Sequence, residues 1–210
     1  SAPGISPGEN GGTHHALEDI ALMRPMVGAV IMEPADSTSM RWAVKNAAEN
    51  FGVYYIRAER TTNNKIYEDG SEFELGKANV LLDGSDVTLI AEGAVMIDNC
   101  FKAAELLKQE GISARVVDIF TIKPIDADTI EACARETGAI VTAENHSVTG
   151  GLGTAVADVL CDRGCQVPFR RIGVQNRFGE VGQVPELLEL MHMTPEDIAK
   201  AAKETVALKK

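Results

Sequence analysis

The chain has 210 residues, and 20 basic against 31 acidic side chains leave a formal net charge of −11. A chain this long can bury about 70% of its unfolded surface without a disulfide or metal staple, and a composition of 45% hydrophobic and 24% charged residues excludes intrinsic disorder. The acidic balance and scattered Lys and Arg argue against nucleic acid as a partner. No apolar run approaches the ~20 residues of a membrane-spanning helix, and the start lacks a signal pattern, so a cytoplasmic protein with no membrane contact is expected.

Ser1 to Gly12 holds four Gly and two Pro and reads as a loop. Leu17, Ile20, Ala21 and Met23 recur at helical spacing, predicting a helix over 16–26. Gly28 to Met32 reads as a strand. Asp36-Ser37-Thr38-Ser39 offers N-caps for a helix running to Asn50 and closed by Gly52, and Val53 to Ile56 reads as a second strand. The polar stretch 61–77 reads as a linker.

From 78 onward strand and helix alternate. Strands are expected at 87–92, 114–120, 139–144 and 169–174. Helices are expected at 95–110, 127–137, from the Gly150–Gly153 loop to Asp162, at 185–192, and at 195–208 with Thr194 as cap. This order predicts an α/β fold: a mostly parallel sheet with helices on both faces over 78–210. Residues 1–60 have the same grammar but only two strands, which cannot cover both faces of a parallel sheet. The expectation is an incomplete α/β domain whose remainder comes from upstream residues or another chain; packing of this piece on the larger domain alone is the alternative.

Cys100, Cys133, Cys161 and Cys165 show no CxxC spacing. Three lie in apolar helical patterns and are expected to be small buried hydrophobes, and no metal site is predicted. Gly8-Glu9-Asn10-Gly11-Gly12-Thr13-His14-His15 precedes a helix; it is either a solvated turn or a close-approach loop in which Asn10 and His14 contact hydroxyls or a phosphate. Arg60 follows the second strand at an edge where α/β proteins place ligands, and its guanidinium fork suits phosphate. Glu144-Asn145-His146 ends a strand ahead of Gly150-Gly151-Leu152-Gly153. That order lacks G-x-G-x-x-G and is no dinucleotide fingerprint. Glu144 and His146 read equally as an acid/base pair or as polar groups that satisfy backbone amides and a subunit contact.

The stretches GENGGTHHALEDIALMRPMVGAVIMEPADS, YYIRAERTTNNKIY, VTLIAEGAVM, RVVDIFTIKPID, TAENHSVTGGLGTAV and GEVGQVPELLE resemble, in this order, the carboxy-terminal portion of transketolases. The resemblance covers essentially the whole chain. It implies that residues 1–60 are the second half of a pyrimidine-binding domain and that 78–210 are the C-terminal domain, lying away from the chemistry. It further implies transfer of a two-carbon ketol unit between sugar phosphates in the pentose phosphate pathway. Thiamine diphosphate and Mg2+ (or Ca2+) would sit between subunits of a homodimer. Substrate-binding roles carry over to His14, which lines the family's substrate channel, and to Arg60, which holds the sugar phosphate. Asn10 stands where many members have an aspartate facing the substrate C2 hydroxyl, and an amide there accepts without adding charge. Ala2 replaces a phosphate-contacting histidine of some members, and Gly12 a frequent proline. The family's catalytic glutamate and its diphosphate and metal ligands have no counterpart in these residues, so no catalytic residue is assigned. The chain by itself is expected to be inactive and to need an amino-terminal transketolase portion or subunit. The alternatives are a non-catalytic dimerisation or ligand-binding module, or part of a deoxyxylulose phosphate synthase or a 2-oxo acid dehydrogenase β subunit.

Overall fold

A computed structural model describes residues 2–60 and 64–209; residues 61–63 of the expected linker lie outside the described residues. Two sheets organise the chain. The larger has strand order β3-β5-β4-β7-β8, formed by β3 (Asn79–Leu82), β4 (Val87–Ala91), β5 (Ala114–Asp118), β7 (Ile140–Ser147) and β8 (Phe169–Val174). All its pairings are parallel except β3 on β5, as expected of a mostly parallel sheet. Val87–Ala91 is buried at every position, as a central parallel strand covered on both faces must be.

Helices cover both faces. α3 (Gly93–Gln109) and α7 (Pro195–Val206) pack together on one side, and α4 (Ala127–Thr137) and α5 (Leu152–Asp162) on the other. The alternation of strand side chains divides the core accordingly. Leu89 and Val116 join Met96, Leu107 and Ile198, whereas Ile90 and Val117 join Ile130, Leu152 and Val156. Each such burial contributes about 1.5–3 kcal/mol. Capping fixes the helix starts: Asp126 Oδ1 accepts from Thr129 N at 3.1 Å, and Thr194 and Asp197 form a reciprocal box at α7.

The smaller sheet has order β2-β1-β6, with β1 (Ala29–Met32) parallel to β2 (Val53–Ile56). They are joined by α2 (Ser37–Glu49), which Asp36 caps through the amides of Thr38 and Ser39 at 3.0 and 2.9 Å. The third strand, β6 (Thr121–Lys123), comes from the later part of the chain and runs antiparallel to β1. The strand expected over 114–120 ends early, at Asp118, and β6, which was not expected, lies wholly beyond it; the chain itself crosses between the sheets. It leaves the large sheet after Asp118 and enters the small one at Thr121, while Ile119 N donates to Ala91 O and Glu33 N to Phe120 O, both at 2.9 Å. The two strands expected in the first part thus gain a third from outside it.

Other elements differ in extent. The helix expected over 16–26 shrinks to α1 (Asp19–Met23), because the carbonyls that would start it serve tertiary partners. Ala16 O accepts from Gly4 N and Arg57 Nη2 at 3.0 and 3.1 Å, and Leu17 O accepts from Ser147 N at 2.8 Å. Strand β3 was not expected; it is a short edge strand with only alternate positions half-buried. Residues 64–77 contain no helix or strand but are packed. Tyr67 and Phe73 join Trp42 and Phe120 in an aromatic cluster with ring centroids 4.7–5.7 Å apart. α6 (Val184–Leu190) completes the set. Cys100 and Cys133 are buried as expected, but Cys161 is exposed. It lies on α5 outside the stripe of Leu152, Val156, Val159 and Leu160 that faces the core.

Candidate functional site

Charged residues close several strand runs of the two sheets. Glu33 follows β1, Arg57 follows β2, Glu92 follows β4, and Glu144 lies in β7. The carboxyl ends of parallel strands meet here, where α/β folds gather their polar groups. Arg57 is the hub, with no exposed side-chain surface. Its guanidinium donates to Glu33, to Asp19 Oδ2 at 3.0 Å, and to the carbonyls of Ala16 and Asn145 at 3.1 and 3.0 Å; Glu92 lies 3.7 Å away. One cation thus holds the small sheet, the segment before α1 and the large domain. Burial alone would lower the Arg57 pKa, but the charges of Glu33, Asp19 and Glu92 raise it on balance. The carboxyls of Glu33 and Glu92 are pushed up, chiefly by burial, with Arg57 opposing the rise.

The Glu144-Asn145-His146 stretch forms the other half of this seam. Burial pushes the Glu144 carboxyl up to about 8, although the amides of Gly153 and Leu152 at the start of α5 favour its charged form. Burial, and then the Arg57 charge, push the His146 imidazole down to about 4. The Ser147 carbonyl lies 2.6 Å from His146 Nδ1 and the Ala21 amide 3.4 Å from Nε2. Neither the Glu144 nor the His146 side chain has exposed surface. Of the two readings of this pair, the geometry supports satisfaction of backbone groups across a seam. Asn145 acts likewise: its Oδ1 accepts from Ile5 N at 2.9 Å and its Nδ2 donates to Ser6 Oγ at 2.9 Å. The fit is close enough that a Cβ on Gly4, whose φ is +45°, would lie 1.9 Å from Asn145 Oδ1.

The sequence-derived substrate residues Asn10, His14 and Arg60 are all exposed. Asn10 ends a 3-10 turn over Gly8–Asn10 and is exposed; His14 is exposed in the same loop, with Thr13 Oγ1 2.9 Å from its Nδ1. Arg60 is exposed a few residues beyond β2. Its neighbour Glu59 lines a cavity of about 550 Å3 with Pro34, Asp36, Arg41, Asn64 and Lys65. Burial, and then Glu33, push the Glu59 carboxyl up to about 7. Among the described residues no hydrogen bond links Asn10, His14 and Arg60 to one another. Asn10 and His14 share one loop, and Arg60 comes from a separate element. Sequence reasoning missed Arg57, Glu33, Glu92 and Asp19. For Arg57, Glu33 and Glu92 the signal was a charged residue directly after an apolar strand run; Asp19, which opens α1, carried none.

No group of three or more His, Cys, Asp or Glu side chains among the described residues is placed to hold a metal ion.

A βα-alternating domain joined to a partial α/β domain through the carboxyl ends of their strands defines the class of architecture. The sequence models of the transketolase C-terminal domain and of the transketolase pyrimidine binding domain match residues 76–198 and 2–65, and the chain belongs to the transketolase family. It is 43% identical over its whole length to a 6-deoxy-6-sulfo-D-fructose transketolase subunit of a Clostridium species, 64% of which it covers. It is 40% identical over 97% of its length to an apulose-4-phosphate transketolase subunit of Phocaeicola vulgatus, again covering 64% of that protein. Among solved structures it superposes on a split gene transketolase, described as an inactive beta4 tetramer. There the TM-score is 0.89 and the identity 41%, covering all of this chain and 65% of that one. The chain therefore spans about two thirds of the length of these relatives.

Proposed function

We propose that the chain is the carboxy-terminal part or subunit of a transketolase, transferring a two-carbon ketol group between sugar phosphates in the pentose phosphate pathway. The observation that carries this reading is the match of the whole chain, at 41–43% identity, to about two thirds of a transketolase subunit and of a split gene transketolase. The domain division is residues 1–60 as part of the pyrimidine-binding domain, 61–77 as linker and 78–210 as the C-terminal domain.

Thiamine diphosphate, with Mg2+ or Ca2+, supplies the electron sink for carbon–carbon cleavage when bound in the complete enzyme. The donors for the diphosphate and cation would belong to an amino-terminal partner portion, as the resemblance to complete transketolases implies. The contribution of this chain is substrate placement. Arg60 provides a two-pronged donor for the sugar phosphate. His14 donates to or accepts from substrate hydroxyls, and Asn10 accepts the C2 hydroxyl with its amide oxygen. An asparagine there adds no charge, so it weakens the preference for hydroxylated acceptors relative to an aspartate. The active form is a homodimer of complete units in the cytoplasm; no described helix is long and apolar enough to cross a membrane.

The test is donor consumption by this chain mixed with its amino-terminal partner. Cleavage of fructose 6-phosphate in the presence of an aldose phosphate supports the proposal. Consumption of pyruvate in its place would assign the chain to a deoxyxylulose phosphate synthase or a 2-oxo acid dehydrogenase.

A further inference from the structure

The large domain reaches the glycine loop through one turn, residues 178–183, which follows β8. Gln183 Nε2 donates to Glu9 Oε1, and a Cβ on Gly12 would lie 2.6 Å from Gly179 O. A Cβ on Gly179 would in turn lie 2.5 Å from His15 Nδ1 and 2.8 Å from Gly12 Cα. The two backbones therefore touch directly, in a contact open only to glycine on both sides. His15, only 8% exposed, packs its ring into this contact.

The turn is itself held rigidly. Gln183 N donates to Glu186 Oε2 at 3.0 Å, Arg177 Nη1 donates to Leu190 O at 2.6 Å, and Leu187 of α6 is 1% exposed. At the other end of the loop, Asn145 fixes Ile5 and Ser6. Both ends of the segment that carries Asn10 and His14 are thus anchored on the C-terminal domain, which the sequence placed away from the chemistry.

We infer that the turn 178–183 is a positioning element for the substrate loop, with Gln183 and Gly179 setting the conformation in which Asn10 and His14 meet the sugar. This rests on the proposed substrate role of the loop. Rigid outer groups of this kind matter because small displacements of a binding group cost affinity steeply. Gln183 and Gly179 touch no substrate; their effect passes through Glu9, Gly12 and His15.

The experiment uses the complex of this chain with its amino-terminal partner, with fructose 6-phosphate as donor and an aldose phosphate as acceptor. It compares Gln183→Glu, which sets two carboxylates against each other, with the same substitution combined with Glu9→Gln, which restores one donor and one acceptor. Gly179→Ala is the third variant. Readouts are amide hydrogen exchange over residues 8–15 and the separate effects on KM and kcat. The expected result for Gln183→Glu and Gly179→Ala is faster loop exchange and a KM about tenfold higher, with kcat within about twofold. The double variant regains both. Should Gly179→Ala fail to fold, the exposed Glu9–Gln183 exchange carries the test alone. Unchanged loop exchange overturns the inference. So does faster exchange with an unchanged KM, when Asn10→Ala raises KM. If Asn10→Ala and His14→Ala also leave KM unchanged, the substrate role of the loop falls first and the inference falls with it.

Discussion

Replacing Arg57 with methionine removes the cation shared by Glu33, Asp19 and Glu92 and keeps most of the side-chain volume. Arg57 is fully buried and Glu33 is 1% exposed, so water cannot replace the lost partner. Breaking a buried ion pair from one side costs about 3–5 kcal/mol. The Asn145 carbonyl also loses its Arg57 donor at 3.0 Å, which adds about 1 kcal/mol or more where no water enters. Against this, burial holds the Glu33 and Glu92 carboxyls above their ordinary range, so they take up a proton more readily once the cation is gone, and the lower end of the range is expected. For a chain of this length, about 3–4 kcal/mol corresponds to a fall in Tm of about 10 °C. Urea unfolding at pH 5 and pH 8 measures it, and the loss should be larger at pH 8, where the abandoned carboxyls ionise. Adding Glu33→Gln to Arg57→Met should recover part of the loss at pH 8. A loss below about 1 kcal/mol, the value of an exposed pair, would refute the claim that Arg57 holds the two parts together.

The buried acids set a second expectation. Glu144 has a folded pKa of about 8, and Glu59 and Asp118 about 7, all above their unfolded values, so the folded state holds extra protons between about pH 4.5 and 8. Stability from these groups is complete below that window and is lost as pH rises through it. His146, near 4 when folded, works in the opposite direction, but only between about pH 4 and 6.5. The urea midpoint should therefore fall from pH 6.5 to 8, with Glu144 contributing about 1–2 kcal/mol. Glu144→Gln should flatten the curve, and a wild-type midpoint that rises over this window would contradict the assignment. In the reconstituted complex, Arg60→Ala should raise KM for fructose 6-phosphate by about ten- to hundredfold, the value of a charge-assisted contact. The same variant should leave the Tm of the chain unchanged, since Arg60 is exposed. Asp36→Ala should destabilise by about 2 kcal/mol, at the top of the range for a cap. That carboxylate accepts from Ile66 and Tyr67 as well as from Thr38 and Ser39, and thermal unfolding reads the effect.

The fold was legible wherever local chemistry determined it. Asp36 and Thr194 announced two helix starts that the structure bears out through side-chain bonds to amides, and Asp126 caps a third in the same way. The runs 87–91, 114–118, 140–144 and 169–174 fell into the parallel sheet because each is short, rich in β-branched or apolar residues and set between helical patterns. What was not legible depended on distant partners. β6 exists because β1 offers an open edge, and nothing local in Thr121-Ile122-Lys123 announces that edge. α1 is short because Gly4, Arg57 and Ser147 donate to the carbonyls of Ala16 and Leu17 just ahead of its start. The Arg57 cluster escaped for the same reason, since Glu33, Arg57 and Glu92 each read alone as a charged strand end and Asp19 as an acid in the first turn of a helix. Asn10, His14 and Arg60 were visible only as a loop and an edge, and their residue types carry the remaining argument.

The claim at the centre is that this chain is one part of a catalytic whole. Calorimetric titration of thiamine diphosphate with Mg2+ into the chain alone, and into the chain mixed with its amino-terminal partner, tests it directly. The expected result is no saturable heat with the chain alone and a saturable one-site isotherm with the mixture. A saturable isotherm of the same affinity with the chain alone would contradict the account.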